Sequence, residues 1–260
     1  MRGKTLAYMV SCVIFFTLPF SAPVTATGTT GIRDARSEYD ACLKLVKREP
    51  EKALESGLAW RDLGGGFPAR HCVALALVEM KKYDIAAPKL EELAEDMEKA
   101  GSNLVVPILS QAANAWLLAG HYSRADSVAS AALGIDPENI DLLIDRSRIM
   151  AKTGDYQKAF EDLDLALKLD PTRADALTFR AAALRQLGET SRALEDVELA
   201  LSLQPDLLDA LIERGILYQL QGKDDDARQD WLKVINLSPN SAAADLARLK
   251  LEKLDVHTDK

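Results

Sequence analysis

The stretch GDYQKAFEDLDLALKLDP, residues 154–171, places small and apolar residues at helical spacing and ends in a proline. Its glycine, its first alanine and its proline each recur along the chain at intervals of 34 residues. The three series are Gly120, Gly154, Gly188 and Gly222; Ala125, Ala159, Ala193 and Ala227; and Pro137, Pro171, Pro205 and Pro239. A fixed period of this length is the signature of stacked supersecondary units. The sequence therefore predicts a repeat protein.

Each unit of the repeat is predicted to contain two helices with a glycine between them. Leu177 and Leu184 mark one face of a first helix, and Ala193 and Val197 mark one face of the second. Gly188 stands between them, because glycine accepts the left-handed conformation just past a helix end. The closing proline cannot continue the second helix. We therefore expect an all-α protein built from helical hairpins.

The pattern of each unit resembles the tetratricopeptide repeat. The residues that carry the resemblance are Leu143, Ser147, Met150, Gly154, Tyr156, Ala159, Leu163, Ala166 and Pro171 in one unit, Leu211, Gly215, Tyr218, Gly222, Ala227, Trp231 and Pro239 in another, and Trp116, Gly120, Tyr122, Ala125, Ala132 and Pro137 in a third. The resemblance implies a right-handed superhelical solenoid of antiparallel helix pairs. It also implies that a peptide or a helix of another protein binds in the concave groove.

The expected organisation of the chain follows from the register of the repeat, which is looser towards the N-terminus. A flexible N-terminal segment covers 27–33, degenerate hairpins cover 34–66 and 67–105, clear repeats cover 106–139, 140–173, 174–207 and 208–241, a capping helix covers 242–254 and a tail covers 255–260. Together, residues 34–254 are predicted to form one solenoid.

Residues 1–26 are predicted to be a removed secretory signal. Two cationic residues precede an apolar run from Leu6 to Phe20, and small residues ending at Ala26 offer a cleavage site. An uncleaved membrane anchor is one alternative, and a lipoprotein signal at Cys12 is another. We expect an exported, periplasmic protein, with secretion or a membrane anchor as the other possibilities.

The charge of the chain bears on its partners. The formal net charge is −8 at pH 7, and loss of the two cations Arg2 and Lys4 with the signal takes it to −10. Nucleic acid is not expected as a partner, because binding to phosphates needs a basic face. Membrane contact is expected only through an uncleaved signal.

Cys42 and Cys72 remain after the signal. Disulfides persist in the oxidising compartments that exported proteins enter. The first helices of adjacent tetratricopeptide units lie side by side, so the resemblance implies that the two cysteines can face each other. We expect a disulfide between them, and two buried free thiols are the alternative.

Two sets of charged residues follow the period of 34 residues. The first comprises Arg146, Arg180 and Arg214 with Asp162, Asp196 and Asp230. We expect these to form ion pairs between helices rather than a charged binding track, because the arginines stand among core positions. The second set comprises Asp141, Asp175 and Asp209, near the starts of first helices. Helix-dipole stabilisation is favoured there over an acidic ladder for a basic peptide.

The sequence offers no constellation typical of an enzyme. His71, His121 and His257 are far apart, without the spacing of metal ligands. The glycine-rich GGGFPARH, residues 64–71, lacks the Lys-Ser or Lys-Thr of a phosphate-binding loop. The acidic run of Glu91, Glu92, Glu95, Asp96 and Glu98 is expected to be a solvated face. We therefore expect no catalysis, no metal, no cofactor and no small-molecule substrate.

The predicted function is a protein-binding scaffold. Its groove should be lined by first-helix residues that are neither core nor cap: Ser110, Asn114, Ile144, Arg148, Thr178, Arg185, Ile212, Ile216 and Gln219. Packing between first helices is an equal alternative for the three isoleucines. Relatives that clamp a terminal carboxylate carry Lys, Arg and Asn on this face, and only Asn114 matches, so we reject that activity. The alternative function is an accessory subunit of an envelope assembly that self-associates through the solenoid surface.

Overall fold

The computed structural model describes residues 30–258, with side chains from residue 35 to residue 255. Thirteen α-helices occupy this part of the chain, which contains no β-strand and no helix long and apolar enough to cross a membrane. The helices are α1 (Thr30–Arg48), α2 (Pro50–Asp62), α3 (Gly66–Glu79), α4 (Tyr83–Lys99), α5 (Val105–Leu118), α6 (Tyr122–Ile135), α7 (Ile140–Thr153), α8 (Tyr156–Leu169), α9 (Ala174–Gln186), α10 (Thr190–Leu203), α11 (Leu208–Leu220), α12 (Asp224–Leu237) and α13 (Ala242–Thr258). The prediction of an all-α fold is confirmed. The predicted signal, residues 1–26, lies outside the described residues.

Consecutive helices pack against each other, and the first helices of successive hairpins also pack side by side. Contacts of this second kind join α5 to α7, α7 to α9, α9 to α11 and α11 to α13, and a similar contact joins α1 to α3. Because each hairpin packs on the next, the helices form a solenoid. One long surface of that solenoid is made mainly by first helices.

Both ends of the solenoid extend further than expected. α1 begins at Thr30, within the segment 27–33 that was predicted to be flexible, and α13 continues to Thr258, into the predicted tail. At the C-terminal end, Arg228 of α12 donates a hydrogen bond of 2.5 Å to Asp255. This contact ties the added turn to the solenoid. The two residues are 27 apart in sequence, so the local pattern of α13 did not indicate it.

Glycines end several first helices in the left-handed conformation. Gly154 has φ 81° and Gly188 has φ 83°. At Gly154 the backbone N–H groups past the helix return to carbonyls of its last turn, so the chain can reverse within a few residues. A side chain at such a φ would strain the backbone.

The core is built from small residues on second helices and larger ones between them. Ala159, Ala193 and Ala200 are no more than 1% exposed, which lets neighbouring helix axes approach closely. The largest cluster of buried side chains runs from α6 to α13 and includes the fully buried Leu211 and Trp231. A separate small cluster surrounds Cys42 and Cys72.

The periodic arginines form ion pairs within their own hairpins, as predicted. Arg180 donates from Nε and Nη2 to both oxygens of Asp196, at 2.7 and 2.8 Å. Its Nη1 also donates to Asp164 on the preceding second helix at 3.1 Å. The equivalent two-point pairs are Arg146 with Asp162 and Arg214 with Asp230. Each aspartate is buried, so these charges fix hairpin geometry and are not a binding track.

Candidate functional site

The first helices carry a cavity of about 410 Å³ between α7, α8 and α9. Arg148 and Lys152 enter it from α7, and Phe179 and Arg185 enter it from α9. Tyr156, the first residue of α8, also lines it. The cavity is open to solvent and combines an aromatic surface with cationic side chains, which suits a polar chain with some apolar groups.

The predicted groove residues divide into two groups. The first group has partly or fully exposed side chains. Arg148 and Arg185 of this group line the cavity. Its other members lie on α5 (Ser110 and Asn114) and on α11 (Ile216 and Gln219). The other three predicted residues, Ile144, Thr178 and Ile212, are 5%, 4% and 6% exposed. Their assignment to the groove surface is wrong.

The three buried residues belong to the interior of the solenoid. Ile144 and Ile212 belong to the main apolar cluster. The hydroxyl of Thr178 donates to the carbonyl of Ala174 in its own helix at 2.8 Å, so its polar atom is satisfied without solvent. Both isoleucines are therefore packed in the core, which agrees with the packing alternative for these residues. Ile216 also packs against the cluster while staying partly exposed.

The predicted groove set leaves out Lys152, Phe179 and Gln186, which line the cavity. Lys152 is four residues after Arg148 and therefore lies on the same face of α7. Phe179 directly follows Thr178, and one step along a helix rotates the side chain by about 100°. Thr178, the predicted groove residue, is therefore buried, and Phe179 faces the cavity instead.

Ion pairs hold the cavity's arginines in place. Nη1 of Arg148 donates to Asp145 at 3.1 Å, and its guanidinium lies 5.9 Å from the Phe179 ring centre. Burial raises the pKa of Asp145, while Arg148 acts in the opposite direction. Arg185 donates from Nε to Glu213 of α11 at 2.5 Å. Both cations are therefore oriented before any ligand arrives, which lowers the entropy cost of binding.

A second polar cluster lies where α4, α5 and α6 meet. The Trp116 indole N–H donates to Glu91, which also accepts two hydrogen bonds from Arg124. Glu91 was expected on a solvated face, but its side chain is only 13% exposed. His121 contacts Asp84 at 2.9 Å nearby. The cluster joins three helices, and among the described residues no three His, Cys, Asp or Glu side chains converge as a metal site requires.

Cys42 and Cys72 are joined by a disulfide, with their Cα atoms 6.1 Å apart. The bond links α1 to α3. Beside it, the imidazole of His71 lies between two other helices, with Nδ1 2.5 Å from the Tyr39 hydroxyl on α1 and Nε2 2.6 Å from Oε1 of Gln111 on α5. These contacts are structural, since they lie at the N-terminal end and not at the cavity.

Comparison with sequence families matches two segments. Residues 140–173 and residues 209–241 each match a family model described as tetratricopeptide repeat. The sequence likeness to this repeat is found in those two segments. The two matched segments correspond to α7–α8 and α11–α12, so the cavity lies against one matched segment and against α9, which lies outside both. No curated protein matched the chain in a sequence comparison.

Several solved structures share the fold. A structure of MamA, residues 41 to the end, from Desulfovibrio magneticus RS-1 has a TM-score of 0.56 at 18% identity, covering 68% of this chain and 97% of its own. Another crystal structure of MamA has a TM-score of 0.53 at 18% identity, covering 64% and 95%. YrrB, described as a tetratricopeptide-repeat protein with an unusual peptide-binding site, has a TM-score of 0.50 at 19% identity, covering 73% and 95%. At these identities the likeness concerns the fold alone.

Proposed function

We propose that this chain is a non-enzymatic scaffold that binds an extended peptide or a helix of another protein on the surface made by its first helices. Tetratricopeptide repeats are protein-interaction units, and YrrB is described as having a peptide-binding site. The observation that carries the proposal is the open cavity between α7 and α9, with Phe179 flanked by oriented cations. Apolar surface with a few fixed polar groups is what peptide recognition uses.

We further propose that the scaffold acts in an exported compartment, the periplasm. The Cys42–Cys72 bond supports this location, because disulfides persist in oxidising compartments and are rare in the cytosol. The apolar run at the N-terminus supports it as well. Cell fractionation with N-terminal sequencing of the mature chain tests the location. A cytoplasmic protein that retains residues 1–26 would contradict it.

Selection of peptides from a random displayed library against the purified chain tests the binding function. We expect enriched peptides whose binding is lost in Ala182→Arg, because Ala182 lines the cavity and a long side chain there would fill it. The matched control is Ala59→Arg, at an exposed position on α2. Far-UV circular dichroism should show both variants to be helical.

The proposed binding surface would be wrong if enriched peptides bound the Ala182→Arg variant as well as they bind the parent chain. It would also be wrong if the Ala59→Arg control abolished binding to the same degree. In either case the cavity would not be the recognition surface.

A further inference from the structure

Positive charge collects along one edge of the first-helix surface, although the chain as a whole carries a net charge of −8. We call five residues the basic strip: Arg148, Lys152, Arg185, Lys250 and Lys253. They lie in the C-terminal halves of α7 and α9 and in the middle of α13. At the other ends of these helices Asp141 and Asp175 stand in the first turns, and Arg173 forms ion pairs with both. The two edges of the surface therefore differ, because carboxylates and a cation meet at one edge and cations collect at the other.

The cavity at one end of the basic strip has only positive charges on its wall. None of the described residues that line the cavity is acidic. Three of them, Arg148, Lys152 and Arg185, are cationic. Asp145 and Glu213 pair with the two arginines from outside the lining. Lys152 is exposed and has no ion-pair partner among the described residues. One cation of the cavity is thus unneutralised.

The other end of the basic strip is also short of negative charge. Burial lowers the pKa of Lys250, and repulsion from Arg185 and Lys253 lowers it further, while Glu213 acts in the opposite direction. Lys250 is therefore under the influence of two other cations, Arg185 and Lys253, and of one carboxylate, that of Glu213, which Arg185 already pairs. An incoming anion would relieve this repulsion, which gives it a favourable interaction at that point.

We infer that the partner segment is an acidic peptide, whose side-chain carboxylates contact Lys152, Arg148 and Arg185 while an apolar side chain rests on Phe179. The inference rests on the proposed function and adds the chemistry of the ligand. The shape of the basic surface favours a peptide over nucleic acid. The cations form one narrow strip instead of the broad basic face that binding to a continuous polyphosphate needs.

Synthetic peptides with blocked ends test the inference by fluorescence anisotropy. All share the same tryptophans, and the remaining positions are glutamate in one peptide, glutamine in the second and lysine in the third. The amidated end removes the terminal carboxylate, so only side chains supply negative charge. We expect the glutamate peptide to bind most tightly, and its affinity to fall as salt is raised, because exposed charges are screened.

Charge reversal at one lysine locates the contact. Lys152→Glu should weaken the glutamate peptide about tenfold and the glutamine peptide much less, because only the former loses an ion pair. The matched control is Lys89→Glu, which makes the same charge change at an exposed position on α4 and should leave the affinity unchanged. Both positions are on the surface, so both variants should keep the parent's melting temperature.

Several outcomes would overturn the inference. If the glutamine or lysine peptide bound as tightly as the glutamate peptide and was lost in Ala182→Arg, the ligand would not be acidic, although the proposed function would stand. If no peptide bound, or if Ala182→Arg left the affinity unchanged, the inference and the proposed function would both be wrong. If an oligodeoxynucleotide displaced the glutamate peptide at equal concentration, the strip would be a phosphate site.

Discussion

Glycine is required at position 215 because of a neighbouring side chain, and not because of the backbone conformation. Gly215 lies inside α11, and a Cβ added there would overlap the indole of Trp231. Trp231 is fully buried on α12 and belongs to the main apolar cluster. The ring therefore fills the space above the Gly215 backbone, and the close approach of α11 and α12 depends on the missing side chain.

Gly215→Ala should lower the free energy of unfolding by about 1 to 3 kcal/mol, because the methyl group displaces a side chain in a dense core. Gly134→Ala is the matched control: Gly134 also lies inside a helix, α6, but an added Cβ would have open space. That change should raise stability by about 0.5 to 1 kcal/mol through helix propensity alone. Urea denaturation measures both. Equal gains in the two variants would show that Trp231 moves aside freely.

At the scale of helices, His71 connects three of them. It lies on α3 and contacts Tyr39 of α1 and Gln111 of α5. Burial lowers its pKa below the ordinary value of 6.5, and the hydrogen bond to Gln111 opposes this. The folded chain therefore binds a proton at His71 less readily than the unfolded chain does.

The lowered pKa makes stability depend on pH in a definite direction. Between 6.5 and the lower folded pKa, the unfolded chain holds more protons, so the free energy of unfolding falls as pH falls. The stabilisation that comes from keeping His71 neutral is fully present above pH 6.5. Below the folded pKa this group causes no further loss of stability. Unfolding curves from about pH 7 to pH 5 should show the decline.

Two variants isolate the contribution of His71. His71→Gln should flatten the decline, because the titrating group is gone. Tyr39→Phe should keep the decline, because the imidazole of His71 stays buried when the Tyr39 hydroxyl is removed. A parent chain and a His71→Gln variant with the same slope would show that other groups cause the pH dependence.

The sequence predicted the helices and the period correctly, because both depend on residues that recur every 34 positions. The ion pairs of Arg180 and its equivalents were predictable for the same reason. The exposed stripe of the first helices was predicted only in part. Thr178 and Phe179 are neighbours in sequence, and only the packing angle of adjacent first helices decides which is covered. That angle is a property of the assembled solenoid and is not encoded in one unit.

At the scale of the whole molecule, the core is not one continuous unit. The large cluster from α6 to α13 does not include the residues around the disulfide, which form a small cluster with Val46 and Ala53. In a solenoid each repeat is stabilised mainly by its neighbours, so the stability of the end differs from that of the middle. Within the described part of the chain α1 packs against α2 and α3, and its buried side chains are Cys42 and Val46.

Reduction of the disulfide should therefore loosen α1 selectively. The bond closes a loop of 30 residues, for which the chain-entropy account gives about 3 to 4 kcal/mol of stabilisation. Hydrogen exchange with mass spectrometry should show faster exchange in Thr30–Arg48 after reduction, and unchanged exchange in α9 to α12. A Cys42→Ala/Cys72→Ala variant is the control, because reductant should leave its exchange pattern unchanged. If α1 kept its protection after reduction, the packing of Val46 and Tyr39 would be enough to hold the helix without the disulfide. If exchange became faster along the whole chain, the solenoid would unfold as one unit.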